Sequence, residues 1–274
     1  MGIFDQILPL LAPLIFTGML SGFLAGLLGV GGGIVIVPIL AFLLETSGIA
    51  TTMPMHIAVG SSLAIIVPTS IISARAHYRL GNVDKAVIAR LGPFVFLGAL
   101  GGAVVAYGLD NSALKAIFGA LAMLIGLSFL VRVIVLRDGL PAIGGRAILG
   151  SAIGIISALV GIGGGSLTVP TLVSCGWDMR RAVGSSALMG LVISIPGMIS
   201  FIIVGYGAAP DLSLATGFVW WPAVLVIAGA AMITTKFGAR FSSKIDQALL
   251  RRIFGVFLMI VGARLVYTGL AGLI

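Results

Sequence analysis

Long apolar runs alternate with short polar links from one end of the chain to the other. At about 20 residues per helical crossing, eight runs are long enough to span a bilayer: 7–44, 57–76, 87–108, 113–136, 147–175, 182–204, 216–236 and 249–272. Period-two alternation is absent, which argues against a β-barrel. The pattern predicts an all-α polytopic membrane protein. The first and fifth runs are too long for one helix, and each carries its own interruption. "GLLGVGGGIVIVP" runs from Gly26 to Pro38, and "ALVGIGGGSLTVP" from Ala158 to Pro170.

The interruptions belong to a wider duplication. "MHIAVGSSL" (Met55–Leu63) matches "MRRAVGSSA" (Met179–Ala187), and "ALKAIFG" (Ala113–Gly119) resembles "LLRRIFG" (Leu249–Gly255). Gly92–Pro93 corresponds to Trp221–Pro222. The chain therefore divides into two four-segment repeats, 1–138 and 139–274, an organisation typical of secondary transporters.

Lys and Arg mark the cytoplasmic links of a membrane protein, so they test the direction of each repeat. Links 75–90 and 132–146 are basic, whereas 45–55 and 109–112 carry no Lys or Arg. If the fifth segment crossed, the most basic link, 236–252, would lie outside. That conflict disappears if 147–175 dips in, turns at "GIGGG" and returns. Its arms, about 14 and 10 residues, would each reach roughly half way across the core at ~1.5 Å per residue. By symmetry the first segment is a hairpin from the other side, although residues 7–28 alone are long enough to cross. The expectation is a pair of inverted repeats, each opening with a Gly-broken re-entrant or discontinuous helix.

Composition agrees with this picture. Hydrophobic residues make up 59% of the chain and charged residues 9%, with a mean hydropathy of +1.25, outside the range of soluble domains. The net charge of +8 is read as an orientation signal, not as nucleic-acid binding. The N-terminus has no basic region or small-residue cleavage site and is expected to belong to the mature protein. Cys175 is a lone cysteine, no CxxC motif exists, and no His, Cys and carboxylate cluster has metal spacing. No cofactor or metal is expected. Trp220–Trp221 read as an interfacial pair.

Glycine permits positive φ and close backbone approach. After each break a new helix starts, and N–H groups at a helix start attract anions. The candidate binding residues are therefore Gly31, Gly32, Gly33 and Ile34 in the first repeat, and Gly163, Gly164, Gly165 and Ser166 in the second. The N–H groups of Ile34–Val37 and Ser166–Val169 would aim at one midplane point. The paired "AVGSS" motifs add Ser61, Ser62, Ser185 and Ser186, hydroxyls that can donate to an oxyanion without burying a charge. Each could instead bond a carbonyl of its own helix. Ser21, Thr69, Ser70, Ser157, Thr168 and Ser194 read as helix–helix contacts. His56 and its repeat partner Arg180 are candidates for gating. All eight carboxylates fall in or near links, so no intramembrane acid is expected to hold sodium or relay protons.

The duplicated GxGGG…VP, the paired AVGSS and "GNVD" (Gly81–Asp84) resemble the TauE/SafE sulfite-exporter family over essentially the whole chain. The resemblance implies a bacterial inner-membrane carrier of sulfite or a related organosulfur anion. The motif matches transfer only the glycine and AVGSS positions. Expected partners are a small anionic substrate and membrane lipid, with a homodimer left open and no nucleic acid. A carrier, not an enzyme, is the reading. The alternatives are a passive anion channel and an intramembrane serine hydrolase, which would need a base from His56 or His77.

Overall fold

A computed structural model describes residues 3–28, 32–50, 52–131, 138–208, 212–241 and 247–272. Among these residues the chain forms ten helices: α1 (Ile3–Leu28), α2 (Gly33–Thr46), α3 (Pro54–Arg79), α4 (Lys85–Tyr107), α5 (Asn111–Leu130), α6 (Ile143–Leu159), α7 (Gly165–Ser174), α8 (Met179–Val204), α9 (Trp221–Phe241) and α10 (Gln247–Ala271). A short antiparallel ribbon, β1 (Ala215–Thr216) and β2 (Val219–Trp220), leads into α9. Seven helices, α1, α3, α4, α5, α8, α9 and α10, are long and apolar enough to cross a membrane. Large apolar side chains such as Ile148, Leu225 and Ile260 stand exposed on the periphery, a surface suited to lipid and not to water. The protein is a multi-pass membrane protein.

Packing fixes the direction of each helix. A Cβ on Gly119 of α5 would meet the Gly262 carbonyl of α10 at 2.6 Å, one on Gly126 the Gly255 carbonyl at 2.8 Å, and one on Gly269 the Ala116 nitrogen at 2.7 Å. These positions run in opposite order, so α5 and α10 are antiparallel. So are α3 and α8, where Gly60 lies against Phe201, Gly197 against Leu63 and Gly190 against Ser70. By contrast α1 runs parallel to α9, with Gly18 against Ile227 and Gly238 against Leu27, and α4 parallel to α6, with Gly98 against Ser151 and Gly102 against Ile155. The most extensive pairings have counterparts when α1–α5 are exchanged for α6–α10: α1 with α9 and α6 with α4, α2 with α3 and α7 with α8. The innermost helix is α3, buried without interruption from Pro54 to Ile66, as expected of a helix that is apolar or small on every face.

The two ends of the bundle differ in charge. One end gathers the close of α3, the starts of α4, α6, α8 and α10 and the close of α9. It carries Arg75, Arg79, Lys85, Arg90, Arg146, Arg180, Arg181, Lys236 and Arg252. At the opposite end Lys115 pairs with Glu45 at 2.6 Å, tying the start of α5 to the close of α2. Arg264 sets its guanidinium 5.4 Å from the ring centre of Phe42, a cation–π contact. The hairpin α1–α2 begins and ends at this opposite end, and α6–α7 begins and ends at the basic one. Their arms are unequal, 26 and 14 residues in the first and 17 and 10 in the second. The first arms exceed the half-crossing expected from the sequence. Leu27 reaches Gly238, in the last turn of α9.

A reciprocal clasp joins the halves. The Trp220 N–H donates to Ser61 Oγ at 2.9 Å, and the Asp84 N–H donates to Ser185 Oγ at 2.9 Å. Beside them, Gly60 admits the Phe218 carbonyl and Gly184 the Asn82 carbonyl, where a Cβ would collide. Trp220 is thereby buried and does not sit in an interfacial belt. Asp84 also caps α4, accepting from the Ala86 and Val87 N–H groups, and its second oxygen accepts from Trp177 Nε1–H at 2.9 Å.

Two outcomes follow from this packing. The Trp177 hydrogen bond, helped by the backbone donors of α4, holds the Asp84 carboxyl below its ordinary range against the opposing effect of desolvation. A depressed carboxylate adds stability above its unfolded pKa, about 3.9, and loses it as pH falls through the folded value. Trp177→Phe should therefore lower the Tm in detergent at pH 7. The gap from wild type should shrink as pH falls below about 4, where Asp84 takes up its proton. A gap that stays constant with pH would place the effect in packing alone. At the α5–α10 contact, Gly119→Leu forces side-chain atoms into the Gly262 backbone and should cost about 1–3 kcal/mol, read as a lowered Tm. An unchanged Tm would mean the two helices do not touch there.

Candidate functional site

The two glycine breaks meet inside the bundle. Gly33, the first residue of α2, lies against the Gly161 carbonyl and Ser62 Oγ, with a would-be Cβ 3.0 Å from the latter. Ser62 donates to the Gly161 carbonyl at 2.8 Å. One serine of the first repeat therefore satisfies the exposed backbone of the second repeat's break. Irregular backbone at membrane depth requires a protein partner or water of this kind.

The glycines serve different purposes. Gly32 caps α2 at φ 63°, and Gly161 turns the chain after α6 at φ 64°. Both are left-handed positions that favour glycine. Gly164 has φ −49°, so positive φ is not its reason. A Cβ there would stand 3.0 Å from the Gly190 nitrogen and 3.1 Å from the Met189 carbonyl carbon, and close approach to α8 is what excludes one. Gly163 accepts a weak bond from the Ser166 N–H at 3.4 Å. Gly31 lies outside the described residues. Ile34 and Ser166 are both buried.

Several of the N–H groups expected to cradle a ligand already have partners. Val35 and Ile36 donate to the Gly32 carbonyl at 3.0 and 3.2 Å, and Thr168 donates to that of Gly164 at 2.8 Å. The cradle read from the sequence thus narrows toward the glycines themselves.

The AVGSS serines separate by position. Ser61 and Ser185 are taken up in the clasp between halves. Ser62 and Ser186 sit one residue deeper. Ser186 donates to the Val183 carbonyl at 2.8 Å and lines a narrow pocket. There Thr69, Ser70 and Ser73 of α3 face Gly164, Gly165 and Ser186 of the second repeat. The water-accessible volume is about 10 Å³, room for about one water, so the walls stand close together. Gly32, Gly33, Ser61 and Ser62 lie outside this lining. The pocket lining offers hydroxyls and backbone and contains no carboxylate.

The gating candidates stand apart from the pocket. His56 is fully buried, its Nε2 is 2.9 Å from the Ala106 carbonyl, and its ring centre is 5.3 Å from that of Phe218. Arg180 is exposed in the first turn of α8.

Ser73 carried no signal in the sequence reading, and Thr69 and Ser70 read only as helix contacts. A signal for Ser70 existed. Ser70 and Ser194 each follow the second serine of their AVGSS motif by the same interval, so they form another matched pair.

Known proteins resemble this chain over most of its length. A protein of Haemophilus influenzae named "Probable membrane transporter protein" is 36% identical over 90% of this chain and 94% of its own length. A protein of Methanocaldococcus jannaschii with a similar name is 30% identical over 94% of this chain and 96% of its own. The Escherichia coli "Probable membrane transporter protein YfcA" is 25% identical over 94% and 90%. No solved structure matches. The sequence profile described as "Sulfite exporter TauE/SafE" matches residues 14–265. Broken helices meeting in the bundle, a small hydroxyl-lined pocket and a match over nearly the whole length agree: the chain belongs to the TauE/SafE sulfite-exporter family of membrane transporters.

Proposed function

We propose that the protein carries a small sulfur-containing anion, sulfite or an organosulfonate such as sulfoacetate, by alternating access between two inverted repeats, 1–138 and 139–274. The observation that carries this reading is the pocket shared by the halves. Hydroxyls from α3 of the first repeat face the glycine break and Ser186 of the second. A sulfonate or sulfite oxygen suits such donors, and the pocket has no acid to repel it. Rocking one repeat on the other would open and close a cleft built this way.

The inverted arrangement rests on helix direction. The equivalent helices α3 and α8, and likewise α5 and α10, pack antiparallel. A two-fold axis along the membrane normal would make them parallel, whereas one in the membrane plane reverses them. The hairpins α1–α2 and α6–α7 then enter from opposite faces, with α1 long enough to cross the whole bundle. The positive-inside rule puts the basic end in the cytoplasm, and the pocket lies in the half of the bundle nearer that end. The driving force is the membrane potential acting on the anion, ~2.3 kcal/mol per charge per 100 mV, or a proton carried by the substrate itself.

A binding screen of sulfite, thiosulfate, sulfate, sulfoacetate and taurine on the purified protein tests the substrate class. Sulfite or sulfoacetate should bind best. Taurine should bind poorly, because its ammonium would meet no carboxylate in the pocket. Preference for taurine, or no binding by any of the five, would overturn the reading.

Site variants should separate in the same assay. Ser186→Ala removes one donor and should weaken binding by about 1.5–3 kcal/mol if the ligand is charged. Gly164→Val places a branched side chain against Gly190 and should abolish binding in protein that remains monodisperse. Normal affinity in both variants would move the anion elsewhere. Topology is checked with single cysteines in a Cys175→Ser background. Leu214→Cys should react with an impermeant thiol reagent from the periplasmic side and Leu80→Cys from the cytoplasmic side. Labelling of both from one side would rule out the inverted arrangement.

A further inference from the structure

The repeat assigns each wall of the pocket a counterpart. By the matched motifs, Gly164 and Gly165 correspond to Gly32 and Gly33, and Ser186 to Ser62. Ser70 corresponds to Ser194, and Ala25 of the pocket wall to Ser157. At ~1.5 Å per residue, Ser70 lies ~24 Å along α3 from the opposite end, and Ser194 ~22 Å along α8 from the basic end. The two sets therefore occupy opposite halves of the bundle.

The second set is packed shut. Gly33 abuts the Gly161 carbonyl, and a Cβ on Gly197 would meet Leu63 at 3.0 Å and Ala158 at 3.4 Å. Within this closed region Ser157 and Ser194 are completely buried, and neither hydroxyl finds a hydrogen-bond partner among the described residues. Several other buried hydroxyls of the bundle behave differently. Thr17, Ser21, Thr69 and Thr235 each return their proton to a carbonyl one turn back, the ordinary fate of serine and threonine in a helix. A buried hydroxyl without a partner is destabilising, and native folds hold few of them. Thr168 Oγ1 on α7 is likewise buried without a partner among the described residues. Ser157 and Ser194 differ from it in their repeat positions, one matched to the pocket wall and the other to Ser70, and these two call for a partner from another state of the protein.

We propose that Ser157 and Ser194, with Gly32, Gly33 and Ser62, form a second anion half-site that opens toward the end opposite the arginines. This inference rests on the alternating-access reading above. Each half-site then presents three serines: Ser70, Ser73 and Ser186 in the pocket, Ser62, Ser157 and Ser194 in the region packed shut. When the closed side opens, Ser62 leaves the Gly161 carbonyl and the three hydroxyls turn to the sulfonate oxygens. The same anion is thereby handed from one trio to the other.

Two measurements test the proposal. In a Cys175→Ser background, Ser70→Cys, Ser157→Cys and Ser194→Cys are treated with an impermeant maleimide, in spheroplasts and in inside-out vesicles. Sulfoacetate, which does not consume maleimide, serves as the protecting anion. Ser157→Cys and Ser194→Cys should label from the periplasmic side and Ser70→Cys from the cytoplasmic side, each slowed at least several-fold by sulfoacetate. If Ser70→Cys is protected while the other two stay unreactive or unprotected, the second half-site is wrong and the carrier reading stands. If none is protected, both readings fall. The second measurement pairs stability with transport for Ser157→Ala and Ser194→Ala. Removing an unsatisfied hydroxyl should leave the Tm unchanged or raised, while affinity for periplasmic sulfoacetate falls on the order of tenfold, as for a hydrogen bond to a charged group. A raised Tm with unchanged affinity would make both serines mere packing residues and overturn the proposal.

Discussion

Backbone polar groups must find partners wherever the chain lies away from water, and the rest of this structure depends on how that demand is met at two helix breaks. A continuous transmembrane helix meets it internally. This chain interrupts two helices deep in the bundle and so frees carbonyls that need donors. The hydrogen bond from Ser62 to the Gly161 carbonyl meets part of that need from across the repeat. It places the glycine break of one half against a helix of the other, and that juxtaposition brings polar chemistry to the centre of an apolar fold.

The AVGSS motif shows how little sequence the arrangement needs. Its glycine lets a link of the other half approach, as Gly60 does for Phe218 and Gly184 for Asn82. Its first serine accepts an N–H from that link. Its second serine points toward the breaks. Three adjacent residues therefore join the halves at both ends of the bundle and contribute a hydroxyl to its centre. The bonds are reciprocal, so a shift of one half against the other must alter both clasps together.

The two halves are not used identically in the state described. Ser186 turns its hydroxyl back to Val183 and borders the pocket, whereas its counterpart Ser62 reaches across to Gly161. Similar sequences thus stand in two different settings within one fold. Ser157 and Ser194 stay buried without a hydrogen-bond partner among the described residues, a local cost to the fold.

The sequence by itself determined the membrane class, the apolar segments, the duplication and the two breaks. Each of these is a local property of hydrophobicity, glycine and repeated motif, and needs no knowledge of what packs where. The basic links marked one end of the bundle for the same reason. The tertiary structure alone decided which glycine does what. Positive φ falls at Gly32 and Gly161, while Gly164 is excluded from carrying a side chain by α8. It also separated Ser61 and Ser185, held in the clasp, from Ser62 and Ser186 at the breaks, and it drew Ser70 and Ser73 into the pocket. A serine reads the same in sequence whether it meets a carbonyl of its own helix, a neighbour's backbone or a pocket. Its role is set by residues far along the chain, and only packing brings those residues within hydrogen-bonding distance.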